Sequence, residues 1–164
     1  MNQLVFILII FIASSSFAAS GAKNELANYE ALIEKLLLSQ KDKTKKADLV
    51  KQSKAMILSS KKIIKSFIKV FPKCEKYLSL VTENSEKILK MPLEKIEKDY
   101  HKDGALPKAD ASCYNAKDLI VHPITALVLA ERSWNDDKAR AQIKDEILEV
   151  KAHFGYVKSV LTKK

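Results

Sequence analysis

The hydrophobic residues of this chain recur at helical spacing along most of its length. Between Lys45 and Cys74 they return in pairs every seven residues: Leu49/Val50, Met56/Ile57, Ile63/Ile64 and Val70/Phe71. Such a repeat places the pairs along one side of a helix. The segment is therefore predicted to form an amphipathic helix with a buried seam, ending before Pro72 because proline disfavours the α conformation in the preceding residue.

Four further segments show helical periodicity. They cover residues 24–40, 72–103, 113–135 and 136–161. Asn24 is a candidate N-cap for the first of them. Pro92 and Pro123 lie inside the second and third, where an internal proline removes a backbone hydrogen bond and kinks or breaks a helix. The last segment is expected to open at Asp136.

The composition agrees with a helical protein. The 164 residues include only three glycines and four prolines, with 7% aromatic residues, which is typical of helices rather than of sandwiches or barrels. Amphipathic helices cannot bury their apolar faces alone and must share one core. We therefore predict an all-α, single-domain, antiparallel up-and-down bundle of four main helices, or five if the segment with the internal Pro123 counts separately.

The amino terminus has the pattern of a secretory signal peptide. Leu4 to Ile12 is an uninterrupted apolar run, and Ser16-Phe17-Ala18 places small residues where signal peptidase requires them. The run is much shorter than the roughly 20 residues of a membrane-spanning helix. Residues 1–18 are therefore predicted to be cleaved, leaving residues 19–164 as an exported domain without a membrane anchor, in a periplasm or outside the cell.

Two cysteines, Cys74 and Cys113, are separated by 38 residues. Export favours a disulfide between them, and closing this loop should stabilise the fold by about 4 kcal/mol in the chain-entropy description. Their spacing matches neither a CxxC redox motif nor a CxxCH haem-attachment motif.

The positive charge is concentrated on the second helix. Between Lys45 and Lys73 there are nine lysines and one acid, which accounts for nearly all of the formal net charge of +9. Arg132 and Arg140 are the only arginines. The chain therefore has few of the side chains that recognise phosphates and base edges through two parallel hydrogen bonds. Five lysines avoid the buried seam and are candidate anion-binding residues: Lys54, Lys61, Lys62, Lys65 and Lys69. The alternative is that this face is only solvated.

The three histidines, His101, His122 and His153, have no partner at i+3 or i+4 and no HExxH motif is present, so the sequence predicts no metal ligands. His122 lies beside Pro123 in an apolar segment and is predicted to be buried, at a point where the chain leaves regular helix geometry. Pro123 should free the carbonyl of Leu119, and the buried imidazole needs a hydrogen-bond partner. His122 and Pro123 are also the candidate lining of a ligand pocket.

No glycine-rich phosphate loop, nucleophile elbow or other catalytic motif is present. In architecture alone, the expected bundle resembles cytochrome b562 and cytochrome c-prime. The first type needs a methionine on the first helix facing a histidine on the last, the second needs a CxxCH motif near the carboxyl terminus, and this chain has neither. We therefore predict no catalytic residues and no cofactor. The expected function is binding of an anionic envelope polymer, such as lipopolysaccharide, a wall polymer or extracellular nucleic acid, or of a partner protein, through the lysine-rich helix. The alternative is a bundle that binds a small ligand, haem or a metal near His122.

Overall fold

The computed structural model of the protein describes residues 14–163, and every regular element in this range is helical. The helices are α1 (Ser14–Ser39), α2 (Lys46–Val70), α3 (Glu75–Ile88), α4 (Leu93–Ile96), α5 (Ala111–Ser133) and α6 (Asp137–Thr162). Short 3-10 turns precede α2 and α3, and a π-helical turn, Glu97–His101, follows α4. The predicted all-α class is confirmed. The predicted count of four main helices is not, because six helices pack together.

The helix ends differ from the sequence predictions at two places. Asn24 is not an N-cap, because α1 already begins at Ser14. The predicted cleavage point after Ala18 therefore falls inside α1, whereas the apolar run at residues 4–12 lies outside the described residues. The segment with Pro123 is one continuous helix, α5, so the predicted departure from helical geometry at His122 and Pro123 is wrong. The predicted opening of the last helix is confirmed, since Asp136 caps α6 by accepting a hydrogen bond from the Lys138 amide.

The buried seam of α2 follows the predicted seven-residue repeat for most of its length. Leu49, Met56, Ile57, Ile63 and Ile64 are buried. The last pair departs from the pattern, because Val70 is exposed and Phe71 is only partly buried. The helix ends there, one residue before the position that the sequence indicated.

Helix α5 is buried on all sides. Every residue from Ala116 to Ala130 is buried, because α2 and α6 pack on two faces of the helix and α3 packs on a third. The disulfide between Cys74 and Cys113 joins the start of α3 to the start of α5, with a Cα–Cα distance of 5.4 Å. The predicted disulfide is confirmed, and it fixes the helix that covers the outer face of α5.

The carbonyl that Pro123 leaves without a helical partner is satisfied by side chains of two other helices. Tyr29 of α1 and Ser60 of α2 both donate hydrogen bonds to the oxygen of Leu119, each at 2.5 Å. All three groups are buried. Because these donors replace the missing amide, α5 continues through its internal proline.

We expect Tyr29 and Ser60 to compensate for each other, so that either hydroxyl alone satisfies the Leu119 carbonyl. Tyr29→Phe and Ser60→Ala should each be mild, whereas the double variant should be more destabilised than the sum of the singles, because a buried carbonyl without a partner costs about 1–3 kcal/mol. Urea unfolding of the two singles and the double measures this coupling.

The matched control is Ser53→Ala. The Ser53 hydroxyl is buried on the same helix and has no hydrogen-bond partner within the described residues, so its removal should not destabilise the fold. Strict additivity of Tyr29→Phe and Ser60→Ala would show that the Leu119 carbonyl does not depend on them.

Candidate metal centre

All three histidines of the chain lie together in the folded protein. His101 comes from the π-helical turn, His122 from the middle of α5 and His153 from α6. The ring of His122 lies between the other two, with centroid distances of 4.7 Å to His101 and 5.4 Å to His153. The predicted burial of His122 is confirmed, since only 3% of it is exposed. The rings of His101 and His153 reach the solvent in part.

Three carboxylates surround the His122 ring. Its Nδ1 atom lies 2.7 Å from Oε2 of Glu146 and 3.4 Å from Oε2 of Glu149, both on α6. Its Nε2 atom, on the opposite edge of the ring, lies 4.0 Å from Oδ1 of Asp118. The hydrogen-bond partner expected for this buried imidazole is therefore the Glu146 carboxyl group from a facing helix.

The outer histidines extend the cluster in two directions. His101 Nε2 lies 3.7 Å from Oε2 of Glu146 and 2.9 Å from the hydroxyl of Thr125. His153 places its Nδ1 atom 3.0 Å from Oδ1 of Asn115 and its Nε2 atom 3.6 Å from Oδ2 of Asp118. His101 thus extends the Glu146 side of the cluster, and His153 extends the Asp118 side.

The contact with Asn115 determines which nitrogen of His153 is available. An amide oxygen only accepts, so Nδ1 carries the hydrogen and, in the neutral ring, Nε2 presents a lone pair. That lone pair faces the Asp118 carboxylate at 3.6 Å, which is too long for a hydrogen bond. While the ring is neutral, these two acceptors repel each other unless a proton or a metal cation lies between them.

Two sets of three side chains can each hold a metal ion. One set is His101, His122 and Glu146, and the other is Asp118, His122 and His153; within each set the donor atoms lie within 4.8 Å of one another. Donors about 2.0–2.2 Å from one tetrahedral ion lie about 3.4 Å apart. The observed separations are 2.7, 3.6, 3.7 and 4.0 Å. Individual donor pairs would therefore need to shift by up to about 0.7 Å relative to each other. Imidazole and carboxylate ligands suit divalent zinc, copper, nickel or iron.

Burial shifts the pKa of three groups in the cluster. It raises the pKa of Glu146 to about 7, because a charged carboxylate is poorly solvated there. For the same reason burial lowers the pKa of His101 and of His122 below the ordinary histidine value. Near neutral pH the two imidazoles are therefore neutral, as metal ligands must be, whereas Glu146 is partly protonated and would release its proton on binding a metal ion.

A fully buried lysine holds the surrounding backbone in place. Lys117 is 2% exposed, and its ammonium group donates to the carbonyls of Tyr100 and His101 at 2.7 and 3.1 Å. It also contacts Oδ1 of Asp103 at 3.0 Å and Oδ1 of Asp118 at 3.1 Å. Lys117 thereby ties the π-helical turn to α5 and fixes the positions of the His101 backbone and the Asp118 carboxylate.

Solvent reaches the cluster from the His101 side. A cleft of about 240 Å³ is lined by Leu93, Glu94, Glu97, His101, Thr125 and Gln142. Its acids favour the entry of cations. On the apolar side, His122 and Pro123 line a gap between α1, α2 and α6 that is too narrow to admit a water molecule. A ligand of the predicted His122–Pro123 site would therefore need to approach the polar edge of the imidazole.

The sequence contains a local signal for this cluster that a search for paired histidines misses. Each histidine follows a carboxylate by four residues: Glu97 and His101, Asp118 and His122, Glu149 and His153. Side chains four residues apart lie on the same face of a helix. Glu146, by contrast, has no histidine four residues after it, and its place beside His122 follows only from the packing of α5 on α6.

The predicted anion-binding lysines separate into two groups. Lys54 is paired with Glu131 and Lys62 with Glu25, whereas Lys61, Lys65 and Lys69 form no ion pair within residues 14–163. A cleft of about 410 Å³ lies between α2 and α3, and its lining includes three of the predicted lysines. Its residues are Lys61, Lys62, Ile64, Lys65, Ile68, Ser79, Thr82 and Glu83.

Comparison of the chain with protein families, with curated proteins and with solved structures gives no match. No described helix combines the length and the apolar character that crossing a bilayer requires.

Glu146→Gln should change how the stability of the metal-free protein depends on pH. The raised pKa means that folded Glu146 holds its proton above pH 4.5, where the unfolded chain releases it. Its contribution to stability is therefore complete at low pH and is lost as pH rises through about 7. Relative to the wild type, the glutamine variant should gain up to about 3 kcal/mol between pH 4.5 and 8.

Urea unfolding in the presence of a chelator, at several pH values, measures this difference. The lowered pKa of His101 and of His122 destabilises both proteins as pH falls. Because the Glu146 charge raises the pKa of His101, this effect is larger in the glutamine variant and adds to its relative gain as pH rises. Glu34→Gln, which removes an exposed carboxylate paired with Lys151, is the control and should show a constant difference. A constant difference for Glu146→Gln as well would contradict the burial effect.

Proposed function

We propose that this protein is an exported helical bundle that binds divalent transition-metal ions with His101, His122, His153, Asp118 and Glu146. The observation that carries the proposal is the convergence of all the histidines of the chain with carboxylates around the buried ring of His122. The ligand spacings fit a metal ion, and an acidic cleft leads to His101. Metal binding near His122 was the alternative function that the sequence suggested, and it now has the stronger support.

Export is part of the proposal. Disulfides persist in oxidising compartments and are rare in the cytosol, so the bond between Cys74 and Cys113 supports an extracellular or periplasmic location. The signal-peptide pattern of residues 1–18 supports the same location.

We also propose that α1, α2, α5 and α6 form an antiparallel four-helix frame. Each helix packs on the next in a closed ring. Contacts at the two ends of α1 and α2 support opposite directions, since Glu25 pairs with Lys62 and Ser39 bonds to Gln52. On this arrangement α3 is an addition that covers α5, and the cluster lies between α5, α6 and the turn after α4.

Wild-type protein should bind zinc, cobalt or copper with a dissociation constant that calorimetry can measure, and binding should raise the melting temperature. His122→Gln should reduce the affinity by more than the roughly 10–100-fold that loss of an outer partner costs, because it removes the residue shared by both ligand sets. Circular dichroism in a chelator checks that the variant folds.

Glu34→Gln again serves as the control and should bind as the wild type does. The proposal is overturned if the wild type binds none of the ions Zn²⁺, Co²⁺, Ni²⁺, Cu²⁺ and Mn²⁺. Unchanged affinity in folded His122→Gln would equally rule out this cluster as the site.

A second candidate function is binding of an anionic envelope polymer at the cleft between α2 and α3. The specific observation is that Lys61 and Lys65 line this cleft without ion pairs in the described chain, above the apolar residues Ile64 and Ile68. Lysine amines at the rim attract anionic groups, and the apolar residues favour polymers with a lipid or sugar face. This is the function that the sequence predicted first, now confined to one part of the lysine-rich helix.

Lys61→Glu/Lys65→Glu should weaken binding of polyphosphate, used as a simple polyanion, and lower the slope of log affinity against log salt by about 2. Lys138→Glu/Lys144→Glu carries the same change of charge on exposed positions of α6 and is the matched control. Equal losses in the two variants would show that net charge alone, and not the cleft, attracts the polymer.

A further inference from the structure

The two nitrogens of His122 face different ligand sets. Nδ1 lies beside Glu146, which in turn lies beside His101 Nε2. Nε2 lies nearest to Asp118, whose other oxygen faces His153 Nε2. The nitrogens of an imidazole ring point in divergent directions, so they cannot both coordinate the same ion. A single metal ion would therefore use only one half of the cluster.

We propose that the cluster holds two divalent metal ions bridged by the His122 ring, an inference that rests on the metal-binding function proposed above. The first ion is coordinated by His101, Glu146 and Nδ1 of His122. The second is coordinated by Asp118, His153 and Nε2 of His122. Each ion has three protein ligands, and an exchangeable fourth position is left for water.

Bridging requires the deprotonated form of the His122 ring. A neutral imidazole has one lone pair and one N–H, so the second ion takes the place of that proton, which leaves to solvent. The coordination bond to Nε2 forms as the N–H bond breaks, and no electron is transferred. An ion already bound at Nδ1 withdraws charge from the ring and favours this loss.

The charges around His122 match two ions better than one. Asp118 and Glu146 are buried, Glu149 is exposed, and the deprotonated ring adds a fourth negative charge. Two divalent ions neutralise this set. Lys117 leaves the balance unchanged, because its ammonium group pairs with Asp118 and with one further carboxylate, Asp103.

Both halves of the cluster are accessible to metal ions. His101 lines the acidic cleft next to α4, and the side chain of His153 is 29% exposed. Each ion can therefore enter without unfolding of the core, through the outermost histidine of its own set.

The test is metal stoichiometry together with magnetic coupling in the full chain. Wild-type protein titrated with Cu²⁺ should bind two equivalents, and its electron paramagnetic resonance signal should rise to one equivalent and then fall as the second copper couples through the ring. His101→Gln and His153→Gln each remove one outer ligand and leave the shared His122 intact. Each variant should bind one equivalent, with an uncoupled copper signal.

The outcomes separate this inference from the function on which it rests. Saturation of the wild type at one equivalent, or two equivalents with no magnetic coupling, overturns the bridge while metal binding stands. No binding at all overturns both. Glu34→Gln is the control for nonspecific loss of metal binding and should bind two coupled ions. Thermal melting in a chelator confirms that each histidine variant is folded.

Discussion

Burial of α5 on every side is the constraint on which the rest of the structure depends. A helix at the surface of a helical protein normally keeps one face in water, but α3 covers that face of α5 and the disulfide between Cys74 and Cys113 holds α3 in place. Each polar group of α5 must then find a partner inside the protein. The Leu119 carbonyl finds Tyr29 and Ser60. The same requirement explains why Lys117 and the residues near it form a connected network.

Lys117 links the stability of the fold to the geometry of the cluster. A buried ammonium group is tolerated only when its charge and its donors are matched, and here two backbone carbonyls and two carboxylates do so. One of those carbonyls belongs to His101 and one of the carboxylates to Asp118. The contacts that allow the Lys117 charge to be buried therefore also fix the backbone of one proposed ligand, His101, and the side chain of another, Asp118.

The sequence predicted features that depend on local periodicity or simple chemistry: the seam of α2, the start of α6, the disulfide and the burial of His122. It did not predict that α5 continues through Pro123, because the donors that make this possible come from α1 and α2. The histidine cluster was missed because His101, His122 and His153 belong to three separate elements. The carboxylates four residues before each histidine are a real signal, but with 30% charged residues such pairs also occur on solvated faces.

A purely structural role leaves one part of the cluster unexplained, the contact between His153 and Asp118. Buried ionic groups seldom stabilise a fold more than apolar residues of the same volume would, and those that persist for structure are fully hydrogen-bonded. Lys117 meets that standard. Glu146 and His122 meet it as well, through their hydrogen bond of 2.7 Å, whereas His153 Nε2 and Asp118 Oδ2 lie 3.6 Å apart, too far for a hydrogen bond. That separation suits donors that share a cation, and the proposed metal ion would lie between them.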